Sequence, residues 1–200
     1  MEHRLVAAEK SEWDLVRRAA EGDQEGFREL VERYQRRILG VVTGMLHDRE
    51  AALEVAQETF IKAYRSLGAF KGDASFYTWI YRIAVNLAID YQRREWRRPI
   101  VETPRPPSGE ASPESPLDRV ADDDPAKDPF EVAKDSELRE RVRQAIDELT
   151  PDHRAVILLR ELEGLSYEEI SQVMECSKGT VMSRLHYARK KLQARLKEFV

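Results

Sequence analysis

The segment from Leu165 to Arg195, LSYEEISQVMECSKGTVMSRLHYARKKLQAR, decides the fold. Ser166 with Glu169 three residues on is a capping box: the serine oxygen takes an orphan backbone N–H and the glutamate reaches back to the cap. It opens a short helix that ends near Met174. Glu175-Cys176-Ser177 is the turn, and Ser177 caps a longer helix with Val181, Leu185, Ala188, Leu192, Leu196 and Phe199 on its inner side. At 1.5 Å per residue this last helix reaches ~33 Å. A short capped helix, a tight turn and a longer basic helix make a helix-turn-helix, whose second helix places its N-terminal part in a DNA major groove.

On that helix Lys178, Thr180, Met182, Ser183, His186 and Tyr187 are candidates to reach bases or phosphates, and Arg184, Arg189, Lys190 and Lys191 supply charge near the backbone. The amides from Ser177 to Gly179 can hold a phosphate at the helix N-terminus. From Lys178 to Val200 there are seven Lys/Arg and one Glu, a local excess of +6 in a chain whose formal charge is −4. Screening confines each patch to roughly 10 Å, so local sign outweighs the total.

Upstream, Thr150-Pro151 reads as N-cap and first residue of a helix to about Glu163, stopped by Gly164, and another helix runs around Val132 to Leu149. Eight of the nine prolines lie between Pro99 and Pro129. Between Glu102 and Asp135 ten acidic residues face four basic ones, a net of −6, including the run Asp122 to Asp124. This stretch reads as an extended, flexible linker.

The N-terminal region reads as four helices. Ser11 caps one through Ala20, with Asp14 placed as in a capping box. Asp23 caps a second, with Phe27, Leu30, Val31, Tyr34, Ile38, Val41, Val42 and Met45 along one side. Asp48 caps a third, with Ala52, Val55, Ala56, Phe60, Ala63 and Leu67. The fourth runs from Phe76 through Ile80, Ile83, Ala84, Leu87, Ala88 and Tyr91. Gly68 to Ser75 is a loop. The expected fold is therefore all-α, two helical domains joined by a flexible linker: residues 1–97, a linker 98–134, and 135–200.

From Phe70 to Arg98, Phe70, Phe76, Tyr77, Trp79, Tyr81, Tyr91 and Trp96 alternate with Lys71, Arg82, Arg93, Arg94, Arg97 and Arg98. Aromatic faces that stack bases, with cations along the phosphates, are how single strands are held. Phe76 and Trp79 sit beside Ile80 and Ile83 and read as core, whereas Phe70, in a loop, reads as exposed.

His3, His47, His153 and His186 have no metal-ligand spacing, and there is no Gly-rich phosphate loop or nucleophile motif, so no catalytic residue, metal or cofactor is expected. The single cysteine, Cys176, rules out an intrachain disulfide and reads as a small buried apolar residue. Met1 to Lys10 lacks a signal-peptide core and no apolar run approaches the ~20 residues of a membrane span, so a cytoplasmic protein is expected.

The motifs GDQEGFRELVERYQRRI (22–38), AQETFIKAYRSL (56–67), FKGDASFYTWIYRIAVNLAIDYQRR (70–94) and LRELEGLSYEEISQVMECSKGTVMSRLHYARKKL (159–192) resemble bacterial extracytoplasmic-function sigma factors of the sigma-E type. The resemblance covers nearly the whole chain except the linker. It implies a sigma-2 helical bundle, a sigma-4 helix-turn-helix, and core RNA polymerase, promoter DNA and an anti-sigma factor as partners, with no small-molecule substrate and no membrane insertion. It implies that Glu54, Gln57, Glu58, Phe60, Ile61, Lys62 and Arg65 dock on the polymerase β′ coiled coil, and that the second domain meets the β flap. It implies that the loop from Phe70 to Ser75, with Lys71, and the helix bearing Tyr77, Arg82, Asn86, Arg93 and Arg94 open the −10 element and capture a flipped base. It also implies that Arg160, Ser183 and Arg184 contact −35 DNA. Met182 and Tyr187 stand where relatives often have arginine, and Leu53 replaces an acidic residue common on the docking helix. An autonomous helix-turn-helix repressor is the main rival, and it leaves the docking motif and the aromatic stretch unexplained.

Overall fold

The computed structural model describes residues 12–46, 48–70, 72, 74–97 and 129–197. All regular structure among them is helical. Residues 12–20 form α1; then follow α2 (Gln24–Met45), α3 (Arg49–Ser66), a 3-10 turn (Leu67–Ala69) and α4 (Phe76–Arg97). The second half holds α5 (Pro129–Asp147), α6 (Pro151–Glu161), α7 (Tyr167–Val173) and α8 (Lys178–Leu196). The expected linker therefore gives way to helix from Pro129; residues 98–128, with Asp122 to Asp124, lie outside the described residues, as do Met1 to Ser11.

The caps act as their chemistry dictates. The Asp23 side chain accepts from Glu25 N–H at 2.9 Å, and Asp48 accepts from Glu50 and Ala51 at 2.8 and 3.2 Å. Ser166 and Glu169 close both bonds of the capping box, and Ser177 accepts from Thr180 N–H at 3.1 Å. Thr150 departs from expectation: its hydroxyl pairs with His153 Nδ1 and makes no capping bond, so Pro151 alone sets the start of α6. Asp14 bonds Arg17 at 2.9 Å.

In the first half, Leu30, Ile38, Val41, Val42 and Met45 of α2 meet Ala52, Val55 and Ala63 of α3 and Ile80, Ala84, Val85 and Ala88 of α4, all buried. Thr59 is buried with them, and its hydroxyl is satisfied by Val55 O at 2.7 Å. In the second half, α6 is buried over six successive residues, Arg154 to Leu159. A helix apolar on every side needs cover on every side. One side of α6 packs on α8 and α7, with Ile170, Val173, Val181, Leu185 and Ala188; the other packs on α2 and α4.

The two halves thus share one continuous core rather than standing apart. Gly44 permits this approach: a Cβ there would lie 2.9 Å from the Leu158 side chain. Arg154, 3% exposed, crosses the junction and donates from Nη1 to Met45 O at 2.7 Å. Gln92 Nε2 donates to the same carbonyl at 2.5 Å.

Candidate functional site

Three surfaces hold the residues singled out from the sequence. The first is a groove of about 850 Å³ between α2 and α3. Phe27, Val31 and Leu39 line one wall; Leu53, Ala56, Gln57, Phe60, Ile61, Tyr64 and Arg65 line the other. The Phe27 and Tyr64 rings meet at 4.9 Å. Leu53 is 47% exposed, Ile61 39% and Tyr64 45%, so large apolar side chains face solvent together. Of the docking residues named above, Gln57, Phe60, Ile61 and Arg65 line this groove. Glu54 and Lys62 are exposed and Glu58 is half-buried, and none of the three lines it. Sequence reasoning missed Phe27, Leu53 and Tyr64 as groove residues. The signal was present: Leu53, Gln57, Ile61 and Tyr64 form a second stripe at helical spacing, offset from the core stripe of α3.

The second surface is the loop before α4 and the outer side of α4. Phe70 is half-buried, not exposed as expected. Its ring lies 5.0 Å from Trp79, 6.2 Å from Phe76 and 6.1 Å from Trp13, so α1 supplies the cover that the loop lacks locally. Gly72 has φ +76, and a Cβ there would strike the Trp13 ring at 2.6 Å, which fixes glycine at this turn. Lys71 lies outside the described residues. Ser75 Oγ accepts from Thr78 N–H at 3.0 Å and so opens α4. Asn86, Arg93 and Arg94 are exposed along α4; Arg93 lies 3.9 Å from Asp90, and Arg94 Nε donates to Asp90 O at 3.4 Å.

Tyr77 and Arg82 are engaged by the second half of the chain. Arg37 Nη2 donates to the Tyr77 hydroxyl at 2.8 Å, and its guanidinium lies 4.6 Å from the ring centre. Arg37 Nε donates to Glu163 Oε2 at 2.9 Å, and the Tyr77 hydroxyl lies 3.3 Å from the same oxygen. Burial, with Glu163 beside it, holds the Tyr77 phenol above its ordinary pKa, and Tyr81 is raised for the same reasons. Arg82 lies 3.6 Å from Glu175, a residue at φ +49 in the turn between α7 and α8.

The third surface is the outer side of α8. Lys178, Met182, Ser183, His186, Tyr187, Arg189 and Lys190 are exposed, and Thr180 is half-buried with its hydroxyl 2.9 Å from Ser177 Oγ. Met182, His186 and Lys190 share a shallow cavity of about 530 Å³ with Tyr167, Leu185, Arg189 and Gln193. Two arginines assigned to DNA already have internal partners. Arg184 pairs with Asp152 at 2.8 Å, and Arg160 donates to Leu165 O at 2.7 Å while stacking over Tyr167. Lys178 pairs with Glu168, Arg189 with Glu161 at 2.7 Å and Arg195 with Glu148 at 2.7 Å. The Glu161 carboxylate holds the Arg189 pKa above its ordinary value. Exposed pairs of this kind are worth ~0–1 kcal/mol, so phosphates can displace the carboxylates at little cost.

Cys176, in the turn before α8, is half-buried against the core rather than fully buried as expected. Among the described residues no group of three His, Cys, Asp or Glu is placed to hold a metal. No helix among them is long and apolar enough to cross a membrane.

A helical bundle with an exposed apolar groove, followed by a helix-turn-helix lobe with a cationic outer helix, defines a class of DNA-directed regulatory protein, and sequence comparison gives the family. Residues 30–98 match Sigma-70 region 2 and residues 139–192 match Sigma-70, region 4. The chain is 42% identical to the RNA polymerase sigma-H factor of Pseudomonas aeruginosa, over 96% of this chain and all of that protein. It is 40% identical to the ECF RNA polymerase sigma-E factor of Escherichia coli K12, over 93% of this chain and 94% of that one. Among solved structures it resembles CnrH in complex with the cytosolic domain of CnrY, with a TM-score of 0.67, 26% identity and coverage of 94% of this chain and 98% of that one. The chain belongs to the sigma-70 family, in its extracytoplasmic-function branch.

Proposed function

We propose that the chain binds core RNA polymerase and directs it to promoters, acting in the cytoplasm as an initiation factor without catalytic activity of its own. The observation that carries this reading is the pairing, in one chain and in family order, of the open α2/α3 groove with the outward-facing helix α8. In this reading the groove takes the β′ coiled coil, the second half meets the β flap, the loop before α4 and the outer side of α4 hold the −10 strand, and α8 reads the −35 duplex. The domain limits 1–97 and 135–200 belong to the same reading. CnrH is held in its structure by the cytosolic domain of another protein, and a protein partner of that kind, an anti-sigma factor, is part of the proposal. A stand-alone repressor has no use for the groove. Run-off transcription with purified core polymerase and a library of promoter fragments tests the proposal. Defined start sites that depend on this chain support it; transcription identical with and without the chain refutes it.

Met182 lies on the exposed side of α8, 56% accessible, and offers a methyl-sized apolar contact to thymine. An arginine there favours guanine or phosphate. Met182→Arg is expected to change the selected −35 sequence and to steepen the salt dependence of DNA binding by about one phosphate contact. Selection from a randomised −35 element checks this: an unchanged consensus removes Met182 from the readers.

A further inference from the structure

Trp13 lies in the first turn of α1 and is 52% exposed. The helix does not need it as an anchor, because Leu15, Val16 and Ala19 already bury the inner side. A single exposed aromatic calls for no explanation by itself. This one is joined to the loop before α4. The Gly72 backbone lies so close under the indole that a Cβ there would stand 2.6 Å from Cη2 and 2.9 Å from Cζ3. The Phe70 ring is 6.1 Å away, and Phe70 in turn meets Trp79 at 5.0 Å and Phe76 at 6.2 Å. Four rings therefore run from α1 through the loop to the start of α4. Phe76 is buried and Phe70 and Trp79 are half-buried, so Trp13 is the ring of the four that opens to water. One turn along α1 on the same side stands Arg17, itself exposed, with the exposed Asp14 as its partner at 2.9 Å. A phosphate can replace that carboxylate at little cost. Glu12, next to Trp13 in sequence, accepts from the Tyr34 hydroxyl.

We propose that Trp13 is a DNA-contacting residue of the −10 site: one face of its indole holds the loop at Phe70 and Gly72, and its open face stacks on an unpaired base of the −10 strand, with Arg17 on an adjoining phosphate. The inference rests on the assignment of that loop to −10 DNA made above. Every base has a π-face, so the contact is tolerant of sequence. The face becomes available only when the base has left the duplex, so α1 favours the melted strand over the closed promoter. The two roles of the indole differ in what they need. Holding the loop needs apolar bulk, whereas stacking needs an aromatic plane.

The test uses holoenzyme assembled from core polymerase and the full chain. The probe is a labelled single strand carrying the −10 sequence that run-off transcription selects. Anisotropy gives its affinity for the parent chain, Trp13→Phe and Trp13→Leu, with the intact strand and with strands made abasic at one position at a time. Trp13→Leu is expected to lower affinity for the intact strand about tenfold, the worth of one stacked base, and Trp13→Phe to keep most of it. At one abasic position the difference between parent and Trp13→Leu should vanish, which marks a direct contact. Arg17→Gln should reduce the salt slope by about one phosphate contact. A −35 duplex should be held equally by all variants. A second measurement needs no variant: strands bearing 5-bromouracil at each position in turn are irradiated on parent holoenzyme, and one should crosslink to Trp13. Equal affinities of parent and Trp13→Leu, a loss that persists at every abasic position, or crosslinks confined to other residues each overturn the proposal. Failure of the underlying assignment is read separately. If Phe70→Ala and Asn86→Ala leave strand binding unchanged, the loop is not the −10 site and the proposal falls with it. If they weaken binding while Trp13→Leu does not, the −10 assignment stands and the role of α1 alone is wrong.

Discussion

Arg154→Ala is expected to destabilise the folded chain by about 3–4 kcal/mol, far more than a surface substitution. Arg154 is buried, and its guanidinium serves carbonyls at two helix ends. Nη1 donates to Met45 O at 2.7 Å at the end of α2; Nε donates to Ile146 O at 3.2 Å; Nη2 serves Asp147 O and, at 3.4 Å, Leu149 O at the end of α5. The C-terminal carbonyls of a helix lack intrahelical donors and carry partial negative charge, so a buried cation there is favourable on both counts. Burial pushes the Arg154 pKa down and Asp147, 3.8 Å away, pushes it up, but a guanidinium keeps its charge in either case. Truncation takes a donor from each of these carbonyls; Gln92 still serves Met45 O and Leu149 N–H still serves Ile146 O, so the loss falls hardest on Asp147 O and Leu149 O. Arg154→Met restores volume but no donor, so it should recover less than half of the loss. Because Met45 belongs to the first half and residues 146–149 to the second, the variant should also loosen their coupling. Urea unfolding followed by circular dichroism and tryptophan fluorescence measures both effects. A loss below about 1 kcal/mol would mean that water replaces the guanidinium without penalty.

The helix starts were legible because capping is local chemistry. Asp23, Asp48, Ser166 and Ser177 each reach an amide two or three residues away, and those spacings are printed in the sequence. What failed to show was set by distant residues. Phe70 reads as an exposed loop aromatic until Trp13, from another helix, is laid beside it. Arg184 reads as a DNA contact, and nothing near it in the sequence shows that Asp152, 32 residues earlier, is its partner in the free chain. The union of the halves had a trace in the sequence. Ala155 to Leu159 is apolar all round, which a lobe packed on one side only cannot use; the far side is what α2 and α4 cover. The candidate site was legible in part for a similar reason. The polar docking residues follow from resemblance to the family, whereas the groove they border depends on how α2 lies against α3, which spacing on one helix does not give.

Ile61→Asp is expected to lower affinity for core polymerase about 100-fold, a loss of ~2.8 kcal/mol. Ile61 lines the groove beside Phe60 and Tyr64 and is 39% exposed, so the folded free chain loses little when it changes. On the docking assignment proposed above the same position is enclosed in the complex, and a carboxylate there loses water among largely apolar walls, with Arg65 one turn further along α3 offsetting part of the cost. Glu58→Lys and Lys62→Glu change charge outside the groove and should cost less, about three- to tenfold, with most of the effect in association rate and salt dependence. The contrast separates an apolar docking site from an electrostatic one. If Lys62→Glu weakens binding more than Ile61→Asp does, charge rather than the groove carries the contact. Fluorescence-detected titration of labelled chain with core polymerase at two salt concentrations gives all three affinities.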